Sequence, residues 1–162
     1  MTSETVVKVD DSMKPNYPSW MKRVLRPDLE APLVTLVTGE LDVKDLFSYF
    51  DESQKDYYGA TGQMLYSELV RKGQIFGCLG LIELEAIKTK GTDFFRKHFG
   101  ENTTVFGWRS VIVGNAIPED GEGSLYVPGL NTKYGPNGGE VGVNWQYMGY
   151  LLGSKSPVVR RW

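Results

Sequence analysis

Val43, Leu46, Phe47 and Phe50 recur three and four apart behind Asp42, a residue suited to an N-cap, and this spacing predicts a helix over residues 42–50. A second helix is predicted over 61–72. Met64, Leu65 and Leu69 form its stripe, Arg71 and Lys72 complement the negative end of its dipole, and Gly73 is placed to end it. Tyr57 and Tyr58 extend the stripe back towards Glu52. Gly59 and Gly62 weigh against that extension by about 1 kcal/mol each relative to alanine. A third, short helix runs from its cap Thr92 through Phe94, Phe95 and Phe99 to Gly100. Ser19 is suited to cap one helical turn carrying Trp20, Met21, Val24 and Leu25, ended by Pro27.

Strand patterns fill much of the rest. Residues 5–9 form a short strand, and the β-branched run 32–38 a longer one closed by Gly39. Within 74–90, Ile82, Leu84 and Ala86 alternate with Glu83 and Glu85, while Leu79, Ile82 and Ala86 also fit a helical stripe. Gly77 and Gly80, poor in a helix interior, favour the strand. Residues 103–113 read as a strand, 124–127 as a short one between the turn-dense stretches 118–123 and 129–139, and 140–152 as a last, glycine-interrupted one.

The fold class that follows is α+β, with two or three short helices packed on a mostly antiparallel sheet and extended N- and C-terminal arms. Residues 1–28 are the first arm, 29–152 a single domain, and 153–162 the second arm. Of the 19 glycines, 11 fall after residue 102, whereas 13 of the 18 basic and 16 of the 20 acidic residues precede residue 103. The domain is therefore helix-richer over 29–102 and strand- and Gly-loop-rich over 103–152. A chain of 162 residues buries roughly 70% of its unfolded surface without disulfides or metals. On this reading the core stays folded without residues 1–17 and 154–162.

A net charge of −2 argues against nucleic acid as the main partner. The one cysteine, Cys78, lies in an apolar run; it can form no intrachain disulfide and reads as a buried structural thiol. No basic segment leads into an apolar one at the start, and no window approaches ~18 apolar residues. The expected setting is intracellular, with no signal peptide and no membrane span.

Most reactive chemistries fail on residue supply. One histidine, His98, and one cysteine assemble no zinc set, and His98 reads as a helix-end residue before it reads as a general base. Gly135, Gly138 and Gly139 lack phosphate-loop spacing, and the GxxG of residues 59–62 lacks basic neighbours. No cofactor and no metal are expected. Two acid pairs remain. Glu83 and Glu85 would share a strand face about 7 Å apart, although a solvated polar face gives the same alternation. Glu119 and Glu122 flank Asp120 in a loop without the EF-hand ligand pattern.

What stands out is the aromatic distribution. Tyr126, Tyr134, Trp145, Tyr147, Tyr150 and Trp162 lie in the glycine-rich, charge-poor part, where large rigid side chains suit protein contact or sugar stacking. A β-rich core accounts equally well for Tyr126, Trp145 and Tyr147. The candidate partner-binding residues are Trp20, Tyr126, Tyr134, Trp145 and Tyr147, with Arg160, Arg161 and Trp162 of the basic, apolar terminus. The expected function is a non-enzymatic structural or assembly subunit that binds neighbouring protein subunits in a multi-copy particle. Its style is that of viral, phage-like capsid-associated, connector or tail proteins. The alternatives are an inhibitor or adaptor of one target enzyme, and a carbohydrate-binding or carbohydrate-hydrolysing protein that uses a carboxylate pair.

Overall fold

The computed structural model describes residues 4–10, 14–30, 39–55, 59–114, 123–132, 139–152 and 156–161. In chain order its elements are β1 (Val6–Lys8), β2 (Met21–Val24), β3 (Glu40–Asp42), β4 (Phe47–Tyr49), β5 (Ala60–Thr61), α1 (Gly62–Arg71), α2 (Leu81–Thr89), α3 (Thr92–Phe99), β6 (Val105–Phe106), β7 (Ile112–Gly114), β8 (Ser124–Asn131), β9 (Gly142–Tyr147), β10 (Leu151–Leu152) and β11 (Val158–Arg160). The fold is α+β, and every strand pair is antiparallel.

Local signals agree with one another in α1. The Thr61 hydroxyl accepts from the Met64 N–H at 3.2 Å, Leu65 and Leu69 are buried, and Gly73 takes the left-handed conformation after the C-cap. Gly62 is needed where α1 meets the chain after β9: a Cβ there would stand 2.9 Å from the Met148 Cα, a backbone atom with no room to yield. The helix expected at 92–99 is α3, though Gly91 holds the cap position and the Thr92 hydroxyl instead accepts from Val141 N–H at 3.0 Å.

β8 organises the main sheet. One of its edges pairs first with β7 and then with β6, the other pairs with β9, and β2 lies outside β7. The expected strand over 103–113 is therefore two strands. Between them a 3-10 turn at Trp108–Ser110 turns inward, and the Ser110 hydroxyl accepts from Leu81 N–H at 2.7 Å at the start of α2. Pro128 sits in mid-strand without a lost ladder bond, because it faces this break; its carbonyl accepts from Gly107 N–H at 2.8 Å. The last expected strand, 140–152, is likewise divided into β9 and β10 by a turn at Met148–Tyr150.

Three further expectations are corrected. Residues 42–50 are not a helix. Asp42 caps only a single 3-10 turn, accepting from Lys44 N–H at 3.0 Å, and Leu46 then turns extended (φ −84°, ψ 140°) into β4, which pairs with β11. The helical turn expected after Ser19 is strand β2, recruited by β7. Residues 74–90, expected as a strand, contain α2. Gly77 closes a preceding 3-10 turn and Gly80 is the N-cap, so neither glycine interrupts the helix. Leu81, Ile82, Leu84, Ala86 and Ile87 are all buried, which makes α2 a helix covered on most sides. The strand expected at 32–38 lies outside the described residues.

Two apolar clusters flank the sheet system. One gathers Val7, Leu41, Leu84, Ile87, Phe95, Leu130 and Val159; the other gathers Leu65, Leu69, Ile75, Trp108, Val127, Met148 and Val158. The described parts of the end segments contribute buried residues to these clusters: Val7 from β1, Val158 and Val159 from β11.

Candidate functional site

The strand order around β8 places the aromatic residues. Register sets Tyr126 opposite Tyr147 and Pro128 opposite Trp145, so side chains of β8 and β9 share a face. β2, two strands away, begins just after Trp20, whose ring lies across Gly114 of β7. A side chain at 114 would collide with that ring, so the close approach requires glycine.

The outcome is a continuous row of rings. Tyr17 and Trp145 have centroids 6.3 Å apart, Trp145 and Trp20 6.4 Å, Trp20 and Tyr126 4.6 Å, Tyr126 and Tyr147 5.8 Å, and Tyr147 and Tyr150 5.2 Å. Tyr126 is the floor of this row, at 4% exposure. Tyr17, Trp20, Trp145 and Tyr147 are half-buried. Tyr150 and Leu151 stand out at 58% and 64% exposure. Burial, followed by the Glu30 carboxylate that faces it, pushes the Tyr17 hydroxyl well above the ordinary phenol value, so it stays a neutral hydroxyl across the physiological range.

The structure thus brings together Trp20, Tyr126, Trp145 and Tyr147 from the candidate residues. It sets Arg160 and Arg161 elsewhere, on β11 and just after it. The Arg160 guanidinium lies over the rings of Phe47 (4.7 Å) and Tyr49 (5.0 Å), and its Nε donates to the Tyr49 hydroxyl at 2.8 Å, which donates to Gln74 Oε1 at 2.9 Å. That arrangement ties the chain's end to β4. Tyr134 and Trp162 lie outside the described residues. Sequence reasoning left Tyr17 and Leu151 out of the site. Two prolines flank Tyr17 and fix an extended approach, and this was the available signal.

The Glu83–Glu85 pair is not assembled. Glu83 and Glu85 stand two apart on α2, so they point to different sides of a helix instead of sharing a strand face. Glu83 is buried at the helix start, where its carboxylate accepts from Gly80 N–H at 3.4 Å. Its role there is that of a cap. Glu85 borders a cleft between α2 and the N-terminal segment, floored by Ile82 and Ala86 with Lys8, Asp10 and Lys14 around it. Glu119, Asp120 and Glu122 lie outside the described residues. Among the described residues no His, Cys, Asp and Glu group could hold a metal, and no helix is long and apolar enough to cross a membrane.

His98 is a helix-end side chain. It packs on Phe94 at 4.5 Å near the end of α3, and burial, Lys97 and Lys44 together hold it below the ordinary imidazole value. Cys78 is fully buried, and burial pushes its thiol up to about 12. We expect Cys78 to resist a thiol reagent at neutral pH in the native protein and to react completely once the chain is unfolded in denaturant; an absorbance assay for the released chromophore reads both states.

Set against protein-family models, curated proteins and solved structures, the chain matches none of them.

Proposed function

We propose that the chain is a non-enzymatic assembly subunit that docks on neighbouring protein chains through the aromatic face of its main sheet. The small capsid-associated, connector and tail proteins of viruses are the analogue in style. The observation that carries the reading is the unbroken row from Tyr17 to Tyr150, rigid rings over the main sheet that lead to the exposed Leu151 of the neighbouring strand β10. Tyr and Trp dominate the energetics of protein interfaces because each presents a large area while fixing few torsions. The buried Tyr126 and the close Trp20–Gly114 contact hold the row in shape before any partner arrives, which lowers the ordering cost of docking.

The test measures particle size by light scattering for the full chain with its native neighbours, beside the double variant Tyr150→Ser with Leu151→Ser. Both residues are exposed, so the variant keeps its fold. The unsubstituted chain is expected to enter a larger particle and the variant to remain apart. Equal incorporation of the two would remove the aromatic face from assembly, and a single one-to-one complex would select an adaptor instead.

A further inference from the structure

Among the described residues β9 is an edge strand, and no strand pairs with its outer side. Met148 N–H donates to the Leu125 carbonyl at 2.9 Å, which fixes the alternation of the β8–β9 ladder. Residues 142, 144 and 146 direct their N–H and C=O groups into β8, while Val143, Trp145 and Tyr147 direct theirs away. Pro128, opposite Trp145, confirms the alternation from the other strand, since its carbonyl points away from β9 towards Gly107.

The edge has definite ends. At one end Val141 N–H is held by the Thr92 hydroxyl, and at the other Gln63 N–H donates to the Met148 carbonyl at 2.9 Å. Between them, among the described residues, no hydrogen bond reaches the main-chain groups of Val143 and Trp145 or the N–H of Tyr147. The Tyr147 carbonyl takes only local bonds, from Tyr150 N–H and Gln146 Nε2.

Strand edges are ordinarily guarded by a charge, a proline or a bulge. β9 has none of these. Its six residues, Gly-Val-Asn-Trp-Gln-Tyr, carry no charge and no proline, and its register with β8 runs without a shift.

We propose that the outer edge of β9 pairs antiparallel with the β9 edge of a second copy of this chain, about a twofold axis at Trp145, joining the two main sheets into one. The three outward residues are centred on Trp145. A twofold axis there sets Val143 opposite Tyr147 of the second copy and Trp145 opposite its own equivalent, and donors meet acceptors in up to about six main-chain hydrogen bonds. Charge favours the same partner, because a neutral strand beside its own copy brings no like charges together. Opposed residues share a sheet face, so the two Trp145 side chains fall on one side and the aromatic rows of both copies become one surface. The inference stands on main-chain groups and goes beyond the reading under Proposed function, which rests on side chains.

In this register residue 144 of one copy opposes residue 146 of the other. The test compares the full unsubstituted chain with N144K/Q146K and N144E/Q146E by sedimentation equilibrium, with circular dichroism to verify folding. The unsubstituted chain is expected to dimerise, each charged variant to dissociate at least about tenfold more readily, and an equal mixture of the two to restore the dimer. Should a charged variant fail to fold, amide exchange on the unsubstituted chain probes the same pairing. The Val143, Trp145 and Tyr147 amides are then protected in concentrated solution and exchange freely on dilution. A chain that stays monomeric up to about 0.1 mM, a dimer indifferent to both charged variants, a mixture that fails to reassociate, or amide protection independent of concentration overturns the proposal. The Tyr150→Ser, Leu151→Ser variant is expected to keep this dimer, which separates failure here from failure of the docking face.

Discussion

Deleting residues 157–162 is expected to unfold the protein. β11 is three residues long, yet its neighbouring valines face opposite ways: Val158 enters the cluster around Trp108 and Leu69, and Val159 the cluster around Leu84 and Phe95. Both are buried, at 0% and 2% exposure. Each contributes roughly 1.5–3 kcal/mol through burial alone. The deletion also removes the ladder with β4, the Arg161 N–H bond to the Gly77 carbonyl (2.8 Å) and the Arg160 bond to Tyr49. Together these losses reach about 5 kcal/mol or more, comparable with the whole stability of an ordinary domain. The truncated chain is expected to lose its near-ultraviolet dichroism and its cooperative thermal transition. A sharp transition at the unsubstituted midpoint would show that β11 is dispensable. This outcome runs against the expectation that the core folds without its ends, and the N-terminal cut at residue 17 is expected to destabilise the fold as well, since it removes the buried Val7 and Val9.

Sequence made α1 legible because every signal for it is local: the Leu65–Leu69 stripe, the basic end at Arg71 and Lys72 and the Gly73 stop agree. It misled over 42–50 for the opposite reason. Asp42 does cap and the apolar spacing is helical, but the residues that decide the matter sit in β11, at the other end of the chain. In α2 the period itself is erased, since sheet and helices cover most of its surface and an alternation of leucine, isoleucine and glutamate then fits strand and helix equally. Pro128 and Gly129 resemble a turn until the break between β6 and β7 shows why β8 tolerates them. For the site, residue type alone singled out Trp20, Tyr126, Trp145 and Tyr147, whereas their meeting depends on strand register, which no local pattern carries. Arg160 illustrates the converse: a basic end residue that reads as partner-facing spends its guanidinium on Phe47 and Tyr49 of its own chain.

Lys72→Met is expected to destabilise the protein by about 2 kcal/mol at neutral pH and far less in acid. The Lys72 ammonium lies 2.7 Å from Asp51 Oδ1, with the Asp51 side chain 2% exposed. Removing one partner of such a pair strands the other charge, which usually costs about 3–5 kcal/mol. Here the loss is smaller, because the Ser53 N–H (3.1 Å) and hydroxyl (2.8 Å) still donate to the carboxylate. For a domain of this size the cost corresponds to a melting point lower by about 4–8 °C. The sign with pH follows from Asp51. Burial alone would raise its carboxyl, but the Lys72 and Ser53 donors outweigh burial and hold it below the ordinary carboxylate value. A depressed folded-state pKa stabilises above the unfolded value of about 3.9 and ceases to do so as pH falls through the folded one. Without Lys72 burial prevails over a weakened set of donors, so the variant's deficit is greatest where Asp51 must carry charge. Denaturant melts of both proteins should therefore draw together as pH falls from neutral into the acid range and Asp51 protonates in each. A deficit that persists undiminished in acid would mean that Lys72 acts through the packing of its methylenes and not through the buried charge.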